Sequence, residues 1–381
     1  MNNPRLLILS PTPGRGGAEE YLLDIARTAA QQGWEVSVAL ELSAATSSIA
    51  EELQADSAVS YIDAPLRGDH RWGVPGQAVA SARILRRVRP DVGMVVLPLL
   101  NLGMGCMIAA ALASVPTAVV FQLAPRPVST GRWQAWCRWA LRRRQRWITV
   151  SEQNAEAVRR TFAVPLASVT TIYNGGPDPV EIAAQDRSDA RLALRTELGL
   201  GLKTRVVLTV GRLDAQKGYD DLLEVLPGVL TGRRDVVFAW AGDGDLRSSL
   251  ESRIRMHGLD SVVRILGHRG DIDRLLDGAD LFLLPSRFEG LPFALLEALA
   301  RGVPALSSDA GGSAEVVRDG VDGLIHRRQD PVDLARQLSW ALAHPQEMRA
   351  MSVSGRSRAE RFSRTRMLQE TLTLLADLRD G

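Results

Sequence analysis

Two series of short apolar runs, one in each half of the chain, alternate with stretches of helical periodicity, and nothing else in the sequence narrows the fold as much. In the first half the runs at 6–10, 35–40, 93–97, 117–122 and 147–150 read as strands. Helices are expected over 18–32, where Gly33 ends the segment, and over the arginine-rich stretch 78–88. The second half repeats the theme, with strands expected at 206–210, 236–241, 262–266, 281–284 and 305–307. Strand and helix in alternation specify a parallel, doubly wound α/β sheet. At 381 residues the chain is too long for one compact core and suits two domains. The stretch 174–179, rich in Gly, Pro and Asp, reads as the linker. A last helix is expected over 364–378, with Ser363 as its N-cap.

Composition narrows the function classes. With 45% hydrophobic and 24% charged residues the balance is that of an ordinary soluble globular protein. A net charge of +2 offers no surplus for nucleic acid, and none is expected as a partner. Cys106 and Cys137 lie in apolar or amphipathic surroundings and read as buried thiols, and no metal-ligand spacing accompanies them. Met1-Asn2-Asn3-Pro4-Arg5 runs straight into the first strand without a signal peptide. The apolar stretch 92–120 is interrupted by Pro98, Asn101, three glycines and Pro116, so two buried strands and a helix are expected there rather than a membrane span. A cytoplasmic protein is expected.

The chemistry concentrates at 285–312: Pro-Ser-Arg-Phe-Glu-Gly-Leu-Pro-Phe-Ala-Leu-Leu-Glu-Ala-Leu-Ala-Arg-Gly-Val-Pro, then Ala-Leu-Ser-Ser-Asp-Ala-Gly-Gly. Glu289 falls on a loop after a buried strand, at the carboxyl end where open α/β sheets bind ligands. Pro292 suits the first helical position, since its missing N–H would be unpaired there anyway. Free amides around Leu291, Phe293 and Ala294 can then face an anion. Glu297 lies further along the helix, roughly 7 Å of rise from Pro292 at about 1.5 Å per residue. Two carboxylates flanking an amide-lined seat, with Gly290 in the loop between, suit a ligand with hydroxyls at both ends and phosphate in the middle. Gly14-Arg15-Gly16-Gly17 forms a glycine-rich turn between strand and helix, where backbone amides approach a phosphate or sugar closely. Glu41 near the end of the second strand also permits a dinucleotide-binding reading, although the third spaced glycine is missing.

Glu289 and Glu297, with seven residues between them, resemble the signature of retaining glycosyltransferases with the GT-B architecture, and the chain is most similar to glycosyltransferase family 4. Gly16-Gly17-Ala18-Glu19, Tyr173-Asn174-Gly175, Val210-Gly211-Arg212-Leu213-Asp214-Ala215-Gln216-Lys217-Gly218 and Ala241-Gly242-Asp243-Gly244 occur in the family's order and rough spacing. The match covers nearly the whole chain. It implies two facing Rossmann-like domains: an acceptor-binding domain at 1–173 plus about 362–381, completed by a C-terminal helix crossing back, and a donor-binding domain at 174–361. It implies that Arg212 and Lys217 clamp the diphosphate, with Asp214 orienting one of them. It implies that Glu289 holds the donor sugar, that Glu297 holds the ribose, and that Gly16 and Gly17 approach the donor phosphates. Gly290, Leu291 and Phe293 join the donor-binding set. The nucleobase is expected near Gly267-His268-Arg269, where Arg269 either stacks on the base or is solvated. Gln122 and Arg126 fall on the acceptor side.

The activity implied is transfer of a sugar, of hexosyltransferase type, from a nucleotide diphosphate sugar, most often a UDP-sugar among relatives. The acceptor is a saccharide, a lipid-linked glycan or a small molecule, as in polysaccharide, glycolipid or glycoconjugate synthesis. No cofactor and no metal are expected: Asp243 with Asp245 and Asp271 with Asp273 mimic metal carboxylates, but the first pair lies in a family loop and the second opens a helix. One departure concerns Gln122, which stands where relatives often carry a histidine; a glutamine donates a hydrogen bond but cannot shuttle a proton near neutral pH. A sugar-nucleotide epimerase of the same fold and a non-catalytic sugar-nucleotide-binding protein stay open beside the transferase. Residues 131–147 add a local feature: Arg132, Arg138, Arg142, Arg143, Arg144 and Arg146 interleave with Trp133, Trp136, Trp139 and Trp147, with no acid between Asp91 and Glu152. This composition fits peripheral contact with the inner face of a membrane, the other reading being tryptophans packed on the sheet and arginines in solvent.

Overall fold

A computed structural model of the chain describes residues 3–67 and 73–381, so Met1 and Asn2 of the expected leaderless start lie outside it. The chain divides into two compact units, Met1–Asn174 with Thr365–Gly381, and Gly175–Arg364.

The first unit runs β1 (Arg5–Leu9), α1 (Gly17–Gln31), β2 (Glu35–Leu40), α2 (Ser47–Ala55), β3 (Val59–Asp63), α3 (Gly73–Val88), β4 (Val92–Leu97), α4 (Met104–Leu112), β5 (Thr117–Phe121), α5 (Trp133–Leu141), β6 (Gln145–Thr149), α6 (Glu152–Phe162) and β7 (Val169–Thr171). Its seven strands lie in the order β3-β2-β1-β4-β5-β6-β7, all parallel. The order reverses between β1 and β4. Every residue of β4 and β5 is buried, which is why these strands read as unbroken apolar runs rather than alternating ones. The stretch 92–120 resolves into β4, α4 and β5 as expected.

At Trp147 the tryptophan-rich segment takes the second of its two readings, with the ring packed on the sheet. Trp147 does not face outward with the arginines: it lies on β6, fully buried, with its ring 5.4 Å from Phe121 and 5.0 Å from Phe162 in edge-on contacts. Trp133 packs against the same core. Strand alternation decides the matter, since neighbouring Arg146 takes the exposed side and Trp147 the buried one.

The second unit runs α7 (Ala184–Glu197), β8 (Arg205–Val210), α8 (Tyr219–Val229), β9 (Val236–Ala241), α9 (Arg247–Met256), β10 (Val263–Gly267), α10 (Ile272–Gly278), β11 (Leu281–Leu284), α11 (Phe293–Ala300), β12 (Ala305–Ser308), α12 (Ser313–Val316), β13 (Leu324–His326), α13 (Pro331–Ala343) and α14 (Pro345–Ala359). Its six strands are parallel in the order β10-β9-β8-β11-β12-β13. The reversal falls between β8 and β11, and ligands of open α/β sheets bind outside such a point. A last helix, α15 (Arg364–Asp380), carries the chain into the first unit. There the Thr371 hydroxyl meets the Tyr21 hydroxyl at 3.1 Å, wholly buried, and burial pushes the Tyr21 phenol up from its ordinary pKa. Met367, Leu372, Leu375 and Leu378 form the helix's buried side. Three short strands, β3, β7 and β13, are additions to the sequence reading.

Candidate active site of the second unit

The carboxyl ends of β8 and β11, the two strands at the reversal, carry the residues singled out from the sequence. β8 ends at Val210, and Arg212 follows within two residues. A short 3₁₀ turn, Ala215–Lys217, then presents Lys217 immediately before α8. Asp214 sets this turn twice over. Its carboxylate accepts the Gln216 amide at 3.0 Å and pairs with the Arg212 guanidinium, also at 3.0 Å. The Arg212 side chain remains 60% exposed, a cation available at the surface.

From β11 the chain passes Pro285, Ser286 and Arg287 to Glu289, whose carboxylate is buried. The Lys217 ammonium reaches Glu289 Oε1 at 2.6 Å. The Ser286 hydroxyl donates to the same oxygen at 2.7 Å, and the Gln216 amide approaches Oε2 at 3.4 Å. Gln216 in turn accepts from Arg212 at 3.4 Å, so one side chain bridges the cation after β8 and the carboxylate after β11. Arg287 fixes the loop from the other side, donating twice to Asp221 on α8 at 2.9 and 2.6 Å. That contact also raises the Arg287 pKa.

Two glycines allow these loops to close. Gly218 has φ +70°, and a Cβ there would stand 2.1 Å from the Pro285 carbonyl oxygen. Gly311 has φ +56°, and its Cβ would stand 2.1 Å from the Glu289 carbonyl oxygen. The Gly312 amide donates to the carbonyl of Gly290, itself buried, at 2.7 Å. Any side chain at 218 or 311 would force apart the segments that hold Lys217 and Glu289.

The structure moves the helix start by one residue. Pro292 has ψ 115° and is the N-cap, so α11 begins at Phe293. Its ring stands just outside the helix, because the residue still carries extended backbone from the Glu289 loop. No side chain caps this end. Leu291 is buried, Phe293 half-buried, and Glu297 lies half-buried one turn further along.

The Arg269 side chain is 20% exposed, and its guanidinium is held by Asp271, at 2.7 Å, and by Glu197 of α7. Those two carboxylates push its pKa upward. Asp243 likewise serves Arg247 at 2.7 Å, and its carboxyl sits below the ordinary range because it accepts the Gly244 amide and the Arg247 guanidinium.

The remaining candidates belong to the first unit. Gly16 is the N-cap of α1 and Gly17 its first residue, with Glu19 buried in the first turn. Gln122 follows β5 and is 6% exposed. Its Oε1 accepts from Asn174 and its backbone carbonyl from Asn154, each at 3.1 Å, so it is bound into a buried amide cluster. Arg126 is exposed on the loop beyond. Sequence reasoning missed Ser286, Gln216 as a bridge, and Gly311. Ser286 and Gln216 stand inside the motifs quoted from the sequence, but a short polar side chain carries no periodicity to mark it.

Relatives agree with this architecture. An uncharacterized glycosyltransferase of Methanocaldococcus jannaschii is 33% identical over 190 residues, 49% of this chain and 48% of its own length. The chain spans about half the length of the first curated relatives it matches. A glycosyltransferase from Rickettsia africae superposes with TM-score 0.81 at 15% identity, over 99% of both chains. The Anabaena protein HepE, in complex with UDP and glucose, superposes with TM-score 0.78 at 23% identity, over 98% of this chain and 100% of its own. At these identities the likeness speaks to the fold, which is GT-B. Residues 15–176 match the model of Glycosyltransferase Family 4 and residues 191–358 that of Glycosyl transferases group 1, and with both halves so matched the chain belongs to glycosyltransferase family 4.

Proposed function

We propose that the protein is a retaining glycosyltransferase that moves a sugar from a nucleotide diphosphate sugar, a UDP-sugar by first choice, to an acceptor hydroxyl. The observation that carries this reading is the meeting of Arg212, Lys217 and Glu289 at the carboxyl ends of β8 and β11. Breaking a sugar–diphosphate bond builds negative charge on the departing phosphate, and preorganised cations and amides are what stabilise it. Arg212, Lys217 and the first-turn amides of α11, from Phe293 onward, supply those groups. In this reading they do so without a metal ion or any other cofactor.

Glu289 takes the donor sugar's hydroxyls and Glu297 the ribose. The second unit serves the donor and the first the acceptor, with Gly16 and Gly17 toward the phosphates and Gln122 and Arg126 toward the acceptor. The UDP bound in HepE supports the choice of UDP. The acceptor is a saccharide, lipid-linked glycan or small molecule, and the setting is cytoplasmic synthesis of a polysaccharide, glycolipid or glycoconjugate.

A donor panel with nucleoside diphosphate release as the readout tests the reading. Arg212→Ala and Lys217→Ala are each expected to cut turnover by about 10²–10³. Release unchanged by both removes the clamp assignment. An isomerised sugar nucleotide without release assigns an epimerase instead, and binding without either assigns a non-catalytic binder.

The basic helix region adds a second element to the proposal, contact with an anionic bilayer. Arg132, Arg138, Arg142, Arg143, Arg144 and Arg146 are all exposed, and among the described residues none has an acidic partner, whereas Arg5, Arg15, Arg27, Arg159 and Arg160 of the same unit are paired. Trp136 is 49% exposed, with Trp139 edge-on to it and Arg143 over the Trp139 ring. Each such cation near an anionic surface contributes about 1 kcal/mol. The protein is expected to sediment with phosphatidylglycerol vesicles at low salt, to be released by salt, and to lose binding in Arg138→Glu/Arg142→Glu/Arg143→Glu. Absence of sedimentation on anionic vesicles retires this element alone.

A further inference from the structure

Lys217 has a built-in anion. Its ammonium lies 2.6 Å from Glu289 Oε1, with the lysine side chain 15% exposed and the glutamate 6%. The carboxylate is fixed from several sides and has little freedom to withdraw. Ser286, fully buried, donates to Oε1 at 2.7 Å, and the Ser286 carbonyl accepts the Ser308 hydroxyl at 2.6 Å. The Glu289 main chain is pinned by its contact with Gly311 and by the Gly312-to-Gly290 hydrogen bond.

A phosphate approaching Lys217 therefore meets a cation already neutralised, and it meets the neutralising carboxylate at nearly the same range. Like charges at such range repel, the more so where burial keeps water from screening them. A sugar on the phosphate changes the sign of that encounter. Its hydroxyls donate hydrogen bonds to the carboxylate, and hydrogen bonds to a charged acceptor are among the strong ones. A bare diphosphate has no such donors to offer.

We infer that Glu289 is the counter-ion by which the site distinguishes an intact sugar nucleotide from the spent nucleoside diphosphate, weakening the hold on product while keeping the hold on donor. The inference rests on the donor-site reading above and adds to it a cause for product release. Lys217 meets phosphate in both ligands; Glu289 rewards only the one that carries a sugar.

Calorimetric titration of the full chain with UDP, GDP, ADP and dTDP, and with a matching sugar nucleotide, tests this. Glu289→Gln keeps the shape and the hydrogen bonds from Lys217 and Ser286 but removes the charge. It is expected to bind the preferred nucleoside diphosphate about tenfold more tightly than the unaltered protein, and to show a smaller preference for the sugar nucleotide over it. Lys217→Met is expected to weaken diphosphate binding, and adding Glu289→Gln to Lys217→Met is expected to restore part of it, which keeps the test independent of the single variant's folding. Unaltered protein that binds diphosphate while both Glu289→Gln comparisons show equal or weaker binding overturns this inference and leaves the donor site standing. Unaltered protein that binds none of the four nucleotides overturns the donor-site reading, and this inference with it.

Discussion

Asp322 is a carboxylate with no exposed surface, and it stays charged because of what surrounds it. Burial opposes the charge, but hydrogen bonds from the Arg318 side chain at 2.7 and 2.8 Å, from Ser354 at 2.7 Å and from the Arg318 amide outweigh it. Together they hold the carboxyl at about 2, below the ordinary aspartate value. A folded-state pKa below the unfolded one gives stability that is present above the unfolded value and lost as pH falls through the folded one. The window here is from about pH 4 down to about pH 2, and roughly 2 kcal/mol is at stake across it. Denaturant midpoints measured from pH 7 to pH 2 are expected to fall in that window, and to fall less steeply there in Asp322→Asn, which starts from a lower midpoint at pH 7. Equal slopes for the two proteins would contradict this. At the same scale, Lys217 and Glu289 were legible because charged residues in glycine-rich surroundings stand out, yet their direct pairing was not. The sequence places them seventy-two positions apart, and only folding tells which cation a buried carboxylate takes.

Among elements, the loops of the candidate site depend on how closely backbones pass, and at Gly311, as at Gly218, a Cβ would stand 2.1 Å from a backbone oxygen. Gly311→Ala must either strain φ +56° or push the Glu289 carbonyl away, at a cost of about 1–3 kcal/mol. Gly320 supplies the control, having φ +72° with nothing within 4 Å of a Cβ. Both alanine variants are expected to lose some thermal stability, but only Gly311→Ala is expected to lose most nucleotide release, by about 10²-fold. Equal activity in the two would mean that the Glu289 loop tolerates displacement. The central strands were legible as apolar runs because both of their faces are buried. The edges β3 and β7 were not. β3 reads Val-Ser-Tyr-Ile-Asp with a single buried residue, and β7 is three residues long. Such segments have too few apolar side chains to announce a period. Pro292 was misplaced by one position for a similar reason, since a proline serves equally well just outside a helix as at its first residue.

At the level of the whole molecule, the twofold repetition of strand and helix was enough to read two doubly wound sheets, because alternation of this kind has few other solutions. The reversal points, β1 against β4 and β8 against β11, were beyond it. Strand order depends on which crossovers pack, not on any local composition. One feature of the connectivity governs how such a chain comes into being. The first unit is closed by α15, whose Thr371 meets Tyr21 some 350 positions upstream. A growing chain released from N- to C-terminus ordinarily folds its leading domain first. Here the leading unit must wait with an apolar flank uncovered until the final helix emerges, while Gly175–Arg364 is already complete. The second unit is thus ready before its older neighbour, which depends on a segment made after both.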